Sequence, residues 1–114
     1  MAESLTSTTT FVRPTAVVTG GESGIGRATT IRLARGGYAV FSGDLRLDPA
    51  NEAVFAELGI HRQRCDVRRE ADVESLITTA HAATGRLDVL VNNAGVGLVK
   101  PITEVTEAEW DRCL

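Results

Sequence analysis

No stretch of this 114-residue chain approaches the roughly 18 uninterrupted apolar residues that a membrane-spanning helix needs. Cysteine is scarce. Cys65 and Cys113 form neither a CxxC pair nor a zinc-type spacing, so the sequence expects two reduced thiols and no metal site. Positive charge is lacking as well: a net charge of −3 and a pI near 5.3 offer no basic surface to a nucleic acid. The opening segment, MAESLTSTTTFV, has neither the basic start nor the apolar run of a secretory signal, and no arginine precedes Arg13 as a transit peptide would require. Residues 1–13 therefore read as a disordered leader carrying no address, and the cytoplasm is the expected location.

What is present is ordinary for a soluble globular domain. Hydrophobic residues make up 43% of the chain, enough for one small core, and charged residues make up 24%. The apolar pattern then divides the chain. Thr15-Ala16-Val17-Val18-Thr19 is a short β-rich run ending in glycines, and Ile25 to Arg35 reads as a helix closed by Gly36-Gly37. Tyr38 to Gly43 is a second strand, followed directly by Asp44. Asp48-Pro49 is a cap with proline at the first helical position, predicting a helix to about Leu58. Ile60 to Cys65 is a third strand, less apolar and so expected at a sheet edge.

Val73, Leu76, Ile77 and Ala80 share one face of the next helix, which Gly85 ends. Leu87 to Asn92 is a fourth strand with Val89-Leu90-Val91 as its expected buried centre. Thr106 and Glu109 form a capping box, so a fourth helix carrying Trp110 begins there and is cut at Leu114. Strands alternating with helices at this pitch imply βαβ units, a parallel sheet and right-handed crossovers. Ligands of such sheets bind beyond the carboxyl ends of the strands, where the informative residues should lie.

The loop Thr19-Gly20-Gly21-Glu22-Ser23-Gly24-Ile25-Gly26 joins the first strand to the first helix. Glycines tolerate positive φ and let backbone approach a pyrophosphate, and the helix that follows presents N–H groups and a positive dipole end to it. The same glycines also suit a mere tight turn. No Lys-Ser/Thr pair follows them, which disfavours a P-loop NTPase. Asp44 lies about twenty residues on, where a carboxylate can accept from both hydroxyls of an adenosine ribose. It would also repel a 2′-phosphate, since like charges about 4 Å apart interact by about 4 kcal/mol at an effective dielectric near 20. A solvated loop aspartate is the plain alternative, and Arg46 stands close enough to complicate the preference. Asp66-Val67 follows the third strand and Asn92-Asn93-Ala94-Gly95 the fourth. Each alone is an ordinary turn.

In order, TGxxxGIG, an acid after strand two, Asp-Val and NNAG resemble the short-chain dehydrogenase/reductase family over nearly everything after the leader. The resemblance implies a Rossmann-type doubly wound parallel sheet of α/β class, incomplete here, with about four strands ordered 3-2-1-4. It implies that residues 14–114 are a partial NAD-binding domain, truncated in the fourth helix. Gly20, Ser23, Gly24 and Ile25 would line the pyrophosphate and nicotinamide ribose. Asp44 and Leu45 would flank the adenosine ribose, and the absence of a basic residue at Ser23 agrees with NAD over NADP. Asp66 would bond the adenine amino group with Val67 beside the ring. Asn93, Ala94 and Gly95 would sit near the cofactor, while Asn92 would brace the sheet.

The departure is at the C-terminus. The family's active-site asparagine, serine and Tyr-x-x-x-Lys pair would fall beyond Leu114, so no catalytic residue is assigned. The only tyrosine, Tyr38, has no lysine at the required spacing. His61 and His81 are expected at the surface, Arg68, Arg69 and Glu70 at a solvated helix start, and Lys100-Pro101 receives no role. The resemblance implies an NAD(H)-dependent oxidoreductase acting on a small alcohol or carbonyl, a homo-oligomer when complete, with the 114-residue chain inactive alone. A non-catalytic dinucleotide-binding module and an inactive truncated product are the alternatives.

Overall fold

A computed structural model describes residues 13–93. The leader up to residue 12, Ala94, Gly95, the Lys100-Pro101 segment and the helix expected from Thr106 lie outside the described residues.

Thr15–Thr19 form β1, and all five residues are buried. The strand has parallel neighbours on both sides, β2 (Ala39–Asp44) and β4 (Val89–Asn92). A strand covered on both edges and both faces reads as a continuous apolar run, as this one does. β3 (His61–Arg64) pairs with β2 and completes a parallel sheet ordered β3-β2-β1-β4. The expected order and the edge position of β3 are both observed. This is the Rossmann-type doubly wound α/β architecture.

Among the described residues three α-helices cover the sheet: α1 (Gly24–Arg35), α2 (Glu52–Glu57) and α3 (Glu70–Thr84). Alternate residues of a strand face opposite layers, so the core divides in two. Val18 and Val40 pack with Phe55 and Ile60 beneath Ile31 and Ala34 of α1 and Val54 of α2. Val17 and Phe41 pack on the other face with Cys65, Leu76 and Ala80, joined by Val73. Of the stripe read on α3, Leu76 and Ala80 are buried and Val73 packs against their cluster, while Ile77 is only half-buried. Gly85 ends that helix in the left-handed region at φ 77°.

Four local readings are corrected. Strand four begins at Val89, because Asp88 joins the sheet through its carboxylate, which accepts the Thr15 amide at 2.7 Å, and through its own amide, which donates to the Thr15 carbonyl at 2.9 Å. Leu90 is not a buried centre but 52% exposed. Its register opposite Val17 puts it on the α3 side of the sheet, outside the cluster that Val17 joins. The helix after Asp48 opens with a 3-10 turn over Pro49–Asn51, in which Asp48 accepts the Ala50 amide at 2.9 Å and buried Asn51 is drawn toward the glycine loop. His61 is half-buried against Phe41, ring centroids 5.4 Å apart, rather than at the surface.

The paired registers bring Thr19, Asp44, Arg64 and Asn92 to one edge of the sheet. The strand order reverses between β1 and β4, so a crevice opens there between the loops that follow them.

Candidate nucleotide-binding site

The glycine loop leaves β1 at Thr19 and enters α1 at Gly24. Gly26 shows how tightly it is drawn: a Cβ there would lie 1.8 Å from the Gly20 carbonyl oxygen and 2.6 Å from Asn93 Nδ2. Only glycine lets the helix start against the strand end. Gly24 takes a left-handed φ of 57° with open space where a Cβ would stand, so backbone faces the crevice. Ser23 caps α1 in extended backbone, makes no side-chain capping bond, and no acid occupies the first turn. Such a helix start suits an anion, since its N–H groups and dipole favour negative charge. Ile25 stands out beside it, 78% exposed.

Asp44 is the last residue of β2 rather than the first beyond it. Its carboxylate accepts the Glu22 amide at 3.0 Å and the Leu45 amide at 2.7 Å, which fixes its plane. Each oxygen keeps further acceptor capacity. Ser23, Asp44 and Leu45 line a cleft of about 400 Å³ together with Glu22, Arg46, Asp48 and Pro49.

The loop after β4 is tied to the same place. Asn93 donates its amide N–H to Thr19 Oγ1 at 3.1 Å and its Nδ2 to the Gly20 carbonyl at 3.2 Å. Asn92 Oδ1 accepts the Thr19 hydroxyl at 3.3 Å, a bridge from β4 to β1 that fits a bracing role.

Asp66 lies after β3, away from that cleft. Arg68 holds its carboxylate in a fork, Nε on Oδ1 and Nη2 on Oδ2, both at 3.0 Å, and adds its own amide. Hydrogen bonds from the Arg68 side chain and amide hold the Asp66 carboxyl down at about 2. Val67 is half-buried against the Val17 cluster. The structure thus groups Gly20, Ser23, Gly24, Asp44, Leu45 and Asn93 about the glycine loop and sets Asp66 and Val67 farther along the same edge. Cys65 is buried, and burial, then the negative charges of Asp72, Asp66 and Asp44, push its thiol up.

Sequence reading missed Glu22. Its side chain is 4% exposed and paired with Arg62, with Asn51 and Asp48 completing the shell. Burial alone would raise this carboxyl; hydrogen bonds from Arg62, Asn51 and the Asp48 amide, with the attraction of Arg62, outweigh it and hold the group below its ordinary value. An acid inside a glycine loop was the available signal, but its partner lies 40 residues away. Among the described residues no group of three or more His, Cys, Asp or Glu could hold a metal, and no helix is long and apolar enough to cross a membrane.

A parallel sheet reversing at β1 and β4, with a glycine turn into a helix there and a carboxylate ending the next strand, defines an α/β domain of the dinucleotide-binding type. The sequence model of the family described as short chain dehydrogenase matches residues 14–114, and the chain belongs to that family. A short-chain dehydrogenase/reductase of Armillaria gallica is 40% identical over 103 residues, covering 85% of this chain and 40% of the relative. A hexahydroindene-carboxyl-CoA reductase of Mycobacterium tuberculosis is 45% identical over 98 residues, covering 81% of this chain and 37% of the relative. A D-threitol dehydrogenase of Mycolicibacterium smegmatis is 39% identical, covering 87% and 40%. Among solved structures, a mutant short-chain dehydrogenase/reductase of Serratia marcescens superposes with a TM-score of 0.70 at 30% identity, covering 90% of this chain and 44% of the other. The chain thus spans about two fifths of the length of these curated relatives. Members of the family are oxidoreductases that typically bind a nicotinamide dinucleotide.

Proposed function

We propose that the protein is an NAD(H)-dependent oxidoreductase that moves hydride between nicotinamide and a small alcohol or carbonyl, with residues 14–114 contributing its cofactor-binding part. The observation that carries this is Asp44: a carboxylate oriented by two backbone amides at the end of β2, lining the cleft beside the glycine loop. Two ribose hydroxyls suit its remaining lone pairs, and a 2′-phosphate would meet like charge. Among the described residues that line the cleft, Asp44 and Asp48 face one cation, Arg46, while the Glu22 charge is taken up by Arg62. The helix start at Ser23, Gly24 and Ile25 would take the pyrophosphate, and Asn93, with Ala94 and Gly95, would stand near the nicotinamide side. Asp66 and Val67 would meet the adenine, with Arg68 sharing the Asp66 carboxylate.

NAD would supply the hydride acceptor; this chain would bind and orient it. Tyr38 is no proton donor for that step. It precedes β2 at the end of the sheet opposite the glycine loop, packed against the Val18 cluster, and Ser42 rather than lysine stands four residues on. The proton would pass through the family's serine and Tyr-x-x-x-Lys set, which these 114 residues do not contain. We therefore expect the chain alone to bind without turnover, and the native protein to work in the cytoplasm as a homo-oligomer. The relatives are named for a carboxyl-CoA reductase and a threitol dehydrogenase, which makes polyols and ring ketones the first substrates to assay.

The test is nucleotide reduction by the native protein with a panel of polyols and secondary alcohols. Reduction of NAD at least about tenfold faster than NADP at equal concentration is expected, a difference of about 1.4 kcal/mol. Asp44→Ala should remove most of that preference. Equal rates with both nucleotides in the wild type, or an unchanged preference in the variant, would contradict the reading.

A further inference from the structure

Carboxylates are almost never fully buried unless paired, and a loop between strand and helix is where solvated ones are usual. Glu22, in such a loop, is buried and paired instead. Arg62 reaches it from β3 in a bidentate fork, Nε to Oε2 at 2.9 Å and Nη2 to Oε1 at 2.7 Å. Oε1 also accepts the Asp48 amide at 2.8 Å and Asn51 Nδ2 at 3.0 Å. Arg62 Nη2 donates besides to the Asp48 carbonyl at 2.8 Å, and the guanidinium lies over the Phe55 ring, 5.4 Å from its centroid. Asn51 completes the link: its Nδ2 donates to the Glu22 carbonyl at 2.7 Å, and its Oδ1 accepts Arg27 Nε of α1 at 2.6 Å.

One arginine thereby holds the glycine loop, the loop after β2 and α2 to the sheet edge. Held so, the Glu22 amide points at Asp44 Oδ2, 3.0 Å away. The path from Arg62 runs through the Glu22 carboxylate and the Glu22 amide to the Asp44 carboxylate without a gap.

We infer that Glu22 and Arg62 are positioning residues for the adenosine ribose, acting through the Glu22 amide on the carboxylate of Asp44. The inference rests on the NAD reading above. It goes further in assigning work to an unspecified position within the glycine motif and to Arg62, which lies outside both motifs. It also gives Arg62 a reason to be silent toward a 2′-phosphate, because its fork is occupied by Glu22 and its side chain is only 15% exposed.

A purely structural pair would weaken every nucleotide alike. Positioning of Asp44 predicts a loss confined to ligands carrying the hydroxyls that Asp44 accepts. The experiment is calorimetric titration of the native protein with NAD and with the deoxy analogue containing 2′,3′-dideoxyadenosine, which lacks both. Wild type is compared with Glu22→Gln, Arg62→Lys and the double variant Glu22→Gln/Arg62→Met, which leaves no buried charge unpaired and keeps the test open should a single variant unfold. Each folded variant is expected to bind NAD about tenfold more weakly than wild type, as loss of a hydrogen bond to a charged group implies. Each should bind the deoxy analogue within about twofold of wild type. Unchanged NAD affinity in the double variant, or equal losses for both nucleotides, would overturn the inference. Wild-type protein that binds neither nucleotide would defeat the NAD reading itself, and this inference with it.

Discussion

Asp44 has its geometry set before any ligand arrives, because two backbone amides already hold its oxygens. That preorganisation lowers the cost of binding a diol. Gly26 is the steric counterpart. Gly26→Ala would place a methyl group 1.8 Å from a backbone oxygen that cannot swing aside, so the loop itself must shift. We expect a stability loss of about 2–3 kcal/mol together with loss of nucleotide binding, measured by denaturant melts and calorimetry. Wild-type affinity in that variant would show that the loop plays no part. Cys65 behaves oppositely, as an inert side chain. Buried and with its thiol pushed up, it should resist alkylation in the folded protein and react on unfolding. Rapid labelling of Cys65 under native conditions, followed by peptide mass spectrometry, would contradict its placement.

These residues differ in how legible they were. Gly20, Gly24, Asp44 and Asn93 follow strand ends in the sequence, and a strand end in a parallel sheet is where ligands bind, so local pattern sufficed. Glu22 and Arg62 are 40 residues apart, and only the fold makes them neighbours. Arg68, expected at a solvated helix start, is exposed yet forks onto Asp66, a pairing two residues away that local pattern cannot rank above solvent.

At the scale of elements, periodicity found every strand and helix within the described residues but misjudged surroundings. An apolar run such as Val89-Leu90-Val91 reads alike whether one face or both are covered. Val91 packs against the Val18 cluster while Leu90 on the opposite face stays open. The short α2 depends less on its own length than on Phe55, which is 0% exposed and stacked beneath Arg62. Phe55→Ala should cost about 3–5 kcal/mol in chemical denaturation. A cost below about 1 kcal/mol would mean that α2 does not anchor the loop after β2.

For the whole molecule, acid stability follows from three depressed carboxyls among the described residues, Glu22, Asp66 and Asp88, the last held below its ordinary value by hydrogen bonds from Arg86 and the Thr15 amide. Glu22 titrates below its ordinary 4.5 and Asp66 falls from 3.8 to about 2 in the folded chain. A depressed folded value means that folding favours the charged form. Their contribution is fully present above the ordinary values and is lost as pH falls through the folded ones. The melting temperature should therefore stay level near neutrality and fall between about pH 4.5 and pH 2, with Glu22→Gln flattening the upper part of that fall. A wild-type decline that begins near pH 6 would require a different titrating group.

The central claim is that the crevice beside Asp44 holds NAD in preference to NADP. The most direct test is calorimetric titration of the native protein with both oxidised nucleotides at one ionic strength. The account predicts that NAD binds at least about tenfold more tightly, a difference of about 1.4 kcal/mol. Tighter binding of NADP would contradict it, and would mean that Arg46, not Asp44, governs the ribose site.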